Sequence, residues 1–256
     1  MNKLKQLFQS KSRNILNIYF TAGYPERDDT VAIIHQLDNA GVDIIELGIP
    51  YSDPLADGMT IQESSKVALQ NGISLELVLR QVTEARKNSN IPIILMGYYN
   101  QFLQYGIGKL LKEAADAKVD GMIIPDLPMD YYEQHYKAQF ETYNISMSFL
   151  VTPETSSLRI RQADKLSNGF LYIVAQSSIT GGQKSISDHQ VEYFDKLKNM
   201  HLNTPTLIGF GIHDNATFYK ACDYAHGAII GSAFIRLLRD KGIEAIPNFV
   251  KEIKET

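Results

Sequence analysis

The chain has 256 residues, of which 44% are hydrophobic and 21% are charged, so it can bury one large core as globular proteins do. Its formal charge of -4 argues against a general nucleic-acid-binding protein, because such proteins carry a basic face. No stretch approaches about 18 consecutive apolar residues, and the N-terminal segment lacks the pattern of a signal peptide. We therefore expect a cytoplasmic protein that does not enter a membrane, and the single cysteine, Cys222, fits a reducing compartment.

The predicted elements begin with a short N-terminal helix around Leu4, Leu7 and Phe8, which is expected to cover apolar surface. Eight short runs then follow, each almost continuously apolar rather than alternating, which is typical of strands buried on both faces of a parallel sheet. The runs cover residues 14–23, 42–49, 91–99, 119–126, 144–151, 169–176, 204–211 and 226–233.

Helical patterns separate these runs. Ile107, Leu110 and Leu111 fall on one helical face, and segments 31–37 and 75–82 show the same spacing. Eight strands alternating with helices in a chain of this length predict an α/β fold, a (β/α)8 TIM barrel that spans residues 1–256 as a single domain. An open doubly wound sheet is the alternative, but no Gly-x-Gly-x-x-Gly turn follows the first strand.

The segment IELGIPYSDPLADG carries acidic residues at the end of the second predicted strand. Glu46 lies inside an apolar run, where a charged carboxylate is costly unless it has a partner. It is either a structural acid with a hidden donor or a general acid/base whose pKa is raised by burial. Asp57 follows Pro50 and Pro54, which stiffen the loop that holds it; the alternative is a simple Asp-Gly turn.

Glycines follow the last two predicted strands, in the segments GFG and GSA. In barrel enzymes, the loops after strands seven and eight often bind phosphate through open backbone N–H groups. Gly211, Gly231 and Ser232 fit such a site, with Gly181 from the preceding loop as an addition, although glycines of this kind also occur in simple tight turns. The six histidines show no metal-ligand spacing, so no metal site is predicted.

The segment IELGIPYSDPLADGMTIQ, residues 45–62, is long enough to be specific. Through this segment, the chain resembles the tryptophan synthase alpha chain family. Weaker matches follow in the same order along nearly the whole chain: YFTAGYP (19–25), PIILMGYYN (92–100), PDLP (125–128), SITGG (178–182), IGFGI (208–212) and GSA (231–233). The resemblance implies a carbon–carbon lyase that cleaves indole-3-glycerol phosphate to indole and glyceraldehyde 3-phosphate, as one step of L-tryptophan biosynthesis.

The resemblance also implies roles for individual residues. Glu46 matches the catalytic acid/base, and Asp57 matches the partner of the indole nitrogen. Thr180 matches the threonine of a mobile loop, where Gln176 and Ser178 depart from the family pattern and put the closure of that loop in question. The remaining substrate contacts implied by the family are Phe20, Tyr98, Leu150, Tyr172 and Phe210, with Met96 and Ile123 nearby, and the phosphate contacts are Gly181, Gly211, Gly231 and Ser232.

The family also implies a partner. An alpha chain docks on a beta chain, in an α2β2 heterotetramer, and the beta chain holds the pyridoxal phosphate, so no cofactor is expected in this chain. Pro50, Asp53 and Pro54 match the interface loop. The alternatives are a stand-alone lyase that releases indole, a catalytically idle activator of the beta chain, and an unrelated phosphate-binding barrel such as a sugar-phosphate isomerase.

Overall fold

The computed structural model describes residues 2–54, 57–175 and 188–255, and in the helix that begins at Asp188 it describes side chains from residue 192 onward. Its strands all run parallel in one sheet. They are β1 (Ile15–Thr21), β2 (Ile44–Gly48), β3 (Ile93–Met96), β4 (Gly121–Ile123), β5 (Ser146–Ser148), β6 (Leu150–Val151), β7 (Leu171–Val174), β8 (Thr206–Gly209) and β9 (Gly227–Ile230).

The sheet closes into a barrel through its fifth predicted strand. β5 pairs with β4, β6 pairs with β7, and Phe149 alone separates β5 from β6 in the chain. Residues 144–151 therefore contribute one barrel strand, whose first half pairs with β4 and whose second half pairs with β7. The prediction of a TIM barrel is confirmed, and the open doubly wound alternative is wrong, because both ends of the strand order β5-β4-β3-β2-β1-β9-β8-β7-β6 meet at this strand.

Helices connect the strands. They are α1 (Lys3–Ser10), α2 (Thr30–Asn39), α3 (Met59–Gln70), α4 (Leu75–Ala85), α5 (Tyr99–Tyr105), α6 (Ile107–Asp116), α7 (Met129–His135), α8 (Lys137–Thr142), α9 (Ser157–Leu166), α10 (Asp188–Asn199), α11 (Asn215–Cys222), α12 (Ser232–Lys241) and α13 (Ile246–Lys254), with a 3-10 turn at Ile243–Ala245. The predicted helical faces are confirmed: in α6, for example, Ile107, Leu110 and Leu111 are all buried. In the described segments, no helix has both the length and the apolar character needed to cross a membrane.

The apolar side chains form two layers, because successive residues of a strand point to opposite faces of the sheet. In β1, Leu16, Ile18 and Phe20 belong to the layer between the sheet and the helices. Ile15 and Tyr19 belong to the smaller layer inside the barrel. This alternation decides which residues of each strand can reach a ligand bound within the barrel.

Helix α1 closes the end of the barrel where the strands begin. Leu4 is fully buried in the inner layer, and Phe8 packs on Phe170 with ring centroids 6.3 Å apart. Asn2 accepts hydrogen bonds from the first turn of α1 and donates to the carbonyl oxygens of Asp120 and Asn144. The predicted N-terminal helix is therefore confirmed, and it leaves the opposite end of the barrel as the open one.

Candidate active site

Glu46 lies in the middle of β2 and points into the barrel, where it is fully buried. Its Oε2 accepts a hydrogen bond of 3.0 Å from Nδ2 of Asn17, whereas Oε1 has no hydrogen-bond partner among the described residues. Burial raises the pKa of Glu46 to about 8, with the hydrogen bond from Asn17 acting to lower it and the nearby charge of Asp57 acting to raise it. At neutral pH this acid is mostly protonated, which is the state a proton donor requires.

Asp57 approaches the same cavity from the loop after β2. Its backbone N–H donates to the carbonyl oxygen of Pro54 at 3.0 Å, and its own carbonyl accepts from Nε2 of Gln62 at 2.8 Å. The side chain is mostly buried, and its Oδ2 accepts a hydrogen bond of 3.1 Å from the hydroxyl of Tyr98. Burial raises the pKa of Asp57 to about 6, and the hydrogen bond from Tyr98 opposes that rise.

The two acids therefore differ in charge at neutral pH. Glu46 holds a proton because burial keeps its pKa near 8, and Asp57 is mostly ionised because its pKa is near 6. Carboxyl groups whose environments separate their pKa values in this way can divide the work of proton donor and anionic stabiliser between them. If Glu46 were a purely structural acid, nothing would explain why its Oε1 has no hydrogen-bond partner among the described residues.

Aromatic side chains from β1, β7 and the end of β8 form the walls of a cavity of about 250 Å³ that both acids line. Tyr19 and Tyr172 belong to the inner layer of the barrel. The rings of Phe210 and Tyr172 pack edge to face, with their centroids 6.2 Å apart. A Cβ atom at Gly48 would overlap the hydroxyl of Tyr19, so the absence of a side chain there makes room for the tyrosine. Burial raises the pKa of both tyrosines well above the usual value, so both hydroxyls stay protonated.

The expectation that Phe20 contacts the ligand is wrong, and Tyr19 takes that position. Phe20 faces the helices and packs on Phe234 with ring centroids 6.3 Å apart. The pairing register explains the difference, because Tyr19 lies opposite Glu46 and Phe20 lies opposite Leu47. Paired residues of parallel strands point to the same face, so Tyr19, beside the inward-pointing Glu46, points inward too; the sequence alone does not give this register.

The other end of the cavity is built from glycines and a helix N-terminus. Gly211 has a positive φ of 80°, and a Cβ atom there would meet no atom of the described residues within 4 Å apart from its chain neighbours. Gly231 precedes α12 and Ser232 is its first residue, so the free N–H groups of that helix point toward the cavity. Arg236, one turn further along α12, also lines the cavity and adds a positive charge that the sequence analysis did not identify.

The other predicted contact residues differ in whether they line the cavity. Tyr98 acts behind Asp57, through its hydrogen bond, and Met96 lines the cavity directly. Leu150 and Ile123 belong to the inner layer of the barrel and do not line the cavity. Thr180 and Gly181, together with Gln176 and Ser178, lie outside the described residues.

No cluster of three or more histidine, cysteine, aspartate or glutamate side chains that could hold a metal ion occurs in the described part of the chain. The cavity instead joins a protonated acid, a carboxylate, aromatic walls and an end lined by glycines, a helix N-terminus and an arginine. Such a combination suits an acid/base reaction on an aromatic molecule that carries a negatively charged tail.

Comparison with known proteins decides the family. Residues 4–255 match the family model described as tryptophan synthase alpha chain. The chain belongs to the tryptophan synthase alpha chain family. Among curated members of this family, the chain from Flavobacterium psychrophilum is 48% identical over 99% of this chain and all of its own length. The chain from Flavobacterium johnsoniae is 49% identical, also over 99% of this chain and all of its own length.

Solved structures agree with this assignment. A structure of Mycobacterium tuberculosis tryptophan synthase superposes with a TM-score of 0.88 and 31% identity, and the match covers 98% of this chain and 96% of that one. A tryptophan synthase complex from Pyrococcus furiosus gives a TM-score of 0.86 and 32% identity, over 95% of this chain and 98% of that one. The chain is accordingly a carbon–carbon lyase of tryptophan synthase, which cleaves indole-3-glycerol phosphate.

Proposed function

We propose that Glu46 is the acid/base of this lyase reaction and that Asp57 anchors the indole nitrogen. The observation that carries the proposal is the pair of buried acids in one cavity, with the pKa of Glu46 near 8 and that of Asp57 near 6. The aromatic walls formed by Tyr19, Tyr172 and Phe210 suit a flat indole ring, and the end near Gly211 suits the phosphate.

The reaction needs two proton transfers, and a single acid can perform both. Glu46 first donates its proton to ring carbon C3, which leaves a positive charge shared with the ring nitrogen. Asp57, as a carboxylate, accepts the hydrogen bond of the ring N–H and stabilises that charge. Glu46, now ionised, takes the proton of the side-chain hydroxyl; the C–C bond breaks, its electron pair returns to the ring, and an aldehyde forms. Indole and glyceraldehyde 3-phosphate leave, and Glu46 is protonated again.

This division of roles predicts a bell-shaped dependence of kcat/KM on pH. Activity is expected to rise as Asp57 ionises around pH 6 and to fall as Glu46 loses its proton around pH 8. The measurement is the initial rate of indole formation at low substrate concentration, across pH 5 to about 9. A rate that climbs steadily through pH 8 would contradict the requirement for a protonated Glu46.

The phosphate of the substrate also titrates near pH 6, so the acidic limb needs its own control. Tyr98→Phe removes the hydrogen bond that lowers the pKa of Asp57, so it is expected to move the acidic limb to higher pH. If the substrate phosphate causes the limb, the limb stays in place in this variant.

We propose that the phosphate binds at Gly211, Gly231 and Ser232, with Arg236 adding charge attraction at its side. Gly211→Asp is expected to raise KM about ten- to a hundredfold, since it places a negative charge next to the phosphate. Gly211→Asn is the matched control, because asparagine and aspartate share the same size and the same tolerance of a positive φ. A similar rise of KM in both variants would mean that backbone strain or bulk causes the effect, and an unchanged KM in Gly211→Asp would place the phosphate elsewhere.

We also propose that the chain works with a tryptophan synthase beta chain in an α2β2 assembly, where the beta chain holds pyridoxal phosphate and receives the indole. The support is an exposed apolar group at the open end of the barrel: Met59, Leu103 and Tyr131 are 66%, 48% and 43% exposed. They follow the ends of β2, β3 and β4 respectively. Asp53, in the loop after β2, is also exposed. Of the three predicted interface residues, Pro50 and Pro54 are buried within this chain and Asp53 is exposed, so Asp53 is the one of these three that could meet a partner.

The test is indole release from indole-3-glycerol phosphate by the purified chain, alone and with a matching beta chain. Slow turnover alone that rises sharply with the beta chain is the expected result. Fast turnover alone that the beta chain does not change would favour a stand-alone lyase. Activation of the beta chain without any cleavage would make this chain an idle activator.

A further inference from the structure

We propose that Asn17 is the positioning residue of the acid/base, that it holds Oε2 of Glu46 in both protonation states, and that it leaves Oε1 to exchange protons with the substrate. This inference rests on the proposed role of Glu46. Asn17 lies on β1, two residues before Tyr19, and its side chain is fully buried inside the barrel.

Asn17 and Glu46 each have one polar side-chain atom with a hydrogen bond and one without, among the described residues. Nδ2 of Asn17 donates to Oε2 of Glu46 at 3.0 Å, whereas Oδ1 of Asn17 and Oε1 of Glu46 are both buried without a partner among the described residues. A buried polar atom without a hydrogen bond is costly, so a pair that leaves one such atom on each side is not built for stability alone. Glu46 lines the ligand cavity, and Oε1 is its carboxyl oxygen without a hydrogen bond among the described residues.

The chemistry of an amide suits this arrangement. An acid/base must alternate between a carboxylate, which only accepts hydrogen bonds, and a carboxylic acid, which also donates one. When the exchangeable proton is on Oε1, Oε2 is an acceptor in both states, so Nδ2 of Asn17 can donate to it before and after proton transfer without moving. An apolar residue could donate in neither state, and a lysine or arginine would favour the carboxylate by its charge and so oppose the protonated state.

No cation among the described residues affects the pKa of Glu46, although Arg236 and His213 line the same cavity. Asp57, from the loop after β2, is the titratable group that acts on the pKa of Glu46, and Glu46 in turn acts on the pKa values of Tyr19 from β1 and Tyr172 from β7. Asp57 disfavours the carboxylate of Glu46, so the hydrogen bond from Asn17 is the interaction in this part of the barrel that favours it. At neutral pH Glu46 is mostly protonated, and in the reaction its carboxylate forms when it gives its proton to the substrate, so Asn17 acts on the step of proton transfer rather than on binding.

The test is a direct titration of Glu46 together with steady-state kinetics. Protein labelled with 13C at the glutamate carboxyl carbons is titrated by NMR, and the Glu46 signal is assigned by its loss in Glu46→Gln. In Asn17→Leu, which has a similar size and no polar atoms, the titration midpoint of Glu46 is expected to move to higher pH. Its kcat is expected to fall about ten- to a hundredfold, with KM within about twofold of the wild-type value.

Asn17→Asp is a second variant for the case in which the leucine disturbs folding. It keeps the size of the side chain, and its negative charge is expected to raise the midpoint of Glu46 further. The matched control is Ser146→Ala, which removes from β5 of the same barrel a buried hydroxyl that has no partner among the described residues, and it is expected to leave both midpoint and kcat unchanged. A purely structural Asn17 would instead lower the melting temperature of Asn17→Leu while the midpoint and kcat stay at wild-type values.

The outcomes separate this inference from the proposed function. An inactive Glu46→Gln with an unmoved midpoint and kcat in Asn17→Leu would overturn the role of Asn17 alone. An active Glu46→Gln would overturn both roles. An inactive Glu46→Gln, a raised midpoint and a reduced kcat in Asn17→Leu support both.

Discussion

Glu46→Gln is expected to reduce the turnover of indole-3-glycerol phosphate by roughly three to four orders of magnitude, because one side chain performs both proton transfers and the amide can perform neither. The fold should persist, since glutamine has the same shape and the buried site already holds a neutral acid at neutral pH. KM should stay close to the wild-type value, because the indole walls and the phosphate end are unchanged. Single-turnover indole formation by the folded variant is the measurement, and near-normal turnover would remove Glu46 from the mechanism.

The same variant carries a stability test that needs no substrate. The pKa of Glu46 is about 8 in the folded chain, above its ordinary value of 4.5, so its contribution to stability is full below pH 4.5 and is lost as the pH rises through 8. Glu46→Gln has no such loss. Its free energy of unfolding, relative to the wild type, is expected to rise by about 1.4 kcal/mol per pH unit within that window. Parallel stability curves from pH 5 to about 8 would mean that Glu46 is ionised throughout.

Asp57→Asn is expected to lower kcat about a hundred- to a thousandfold, the usual cost of removing a group that stabilises charge in the transition state. Asparagine can still accept a hydrogen bond from the ring N–H, so substrate binding should suffer less than turnover. What is lost is the negative charge beside the positively charged ring that forms after C3 is protonated. The measurement is kcat and KM for the variant at the wild-type pH optimum.

The control for Asp57→Asn is again Tyr98→Phe, which keeps the carboxylate and removes only its hydrogen-bond donor. Its effect at the pH optimum should be much smaller than that of Asp57→Asn. Equal losses of kcat in the two variants would show that the position of Asp57, rather than its charge, limits the reaction. A kcat unchanged in Asp57→Asn would mean that the ring nitrogen finds its partner elsewhere.

The sequence was enough to identify the two acids, one in β2 and one in the loop after it, as candidate functional residues. Glu46 stands out because it interrupts an apolar run, and Asp57 because two prolines stiffen the loop that carries it. Their difference in pKa was not predictable, because it arises from the packing that buries Glu46 completely and from the hydrogen bond that Tyr98 gives to Asp57. Arg236 escaped notice for a similar reason: one arginine on a helix surface carries no signal until the helix is seen to border the cavity.

The amino-acid sequence was enough to predict the barrel, since strands buried on both faces must be apolar throughout and eight of them alternate with amphipathic helices. The sequence also indicated where along the chain the chemistry lies. An acid in an apolar run is costly to bury, and glycines after the last strands allow backbone conformations and close approaches that other residues do not. The folded structure was needed to show which face of β1 lines the cavity, with Tyr19 there in place of Phe20. It alone joined Asn17 to Glu46, 29 residues away, because such a contact depends on strand register and the direction of side chains across the closed sheet.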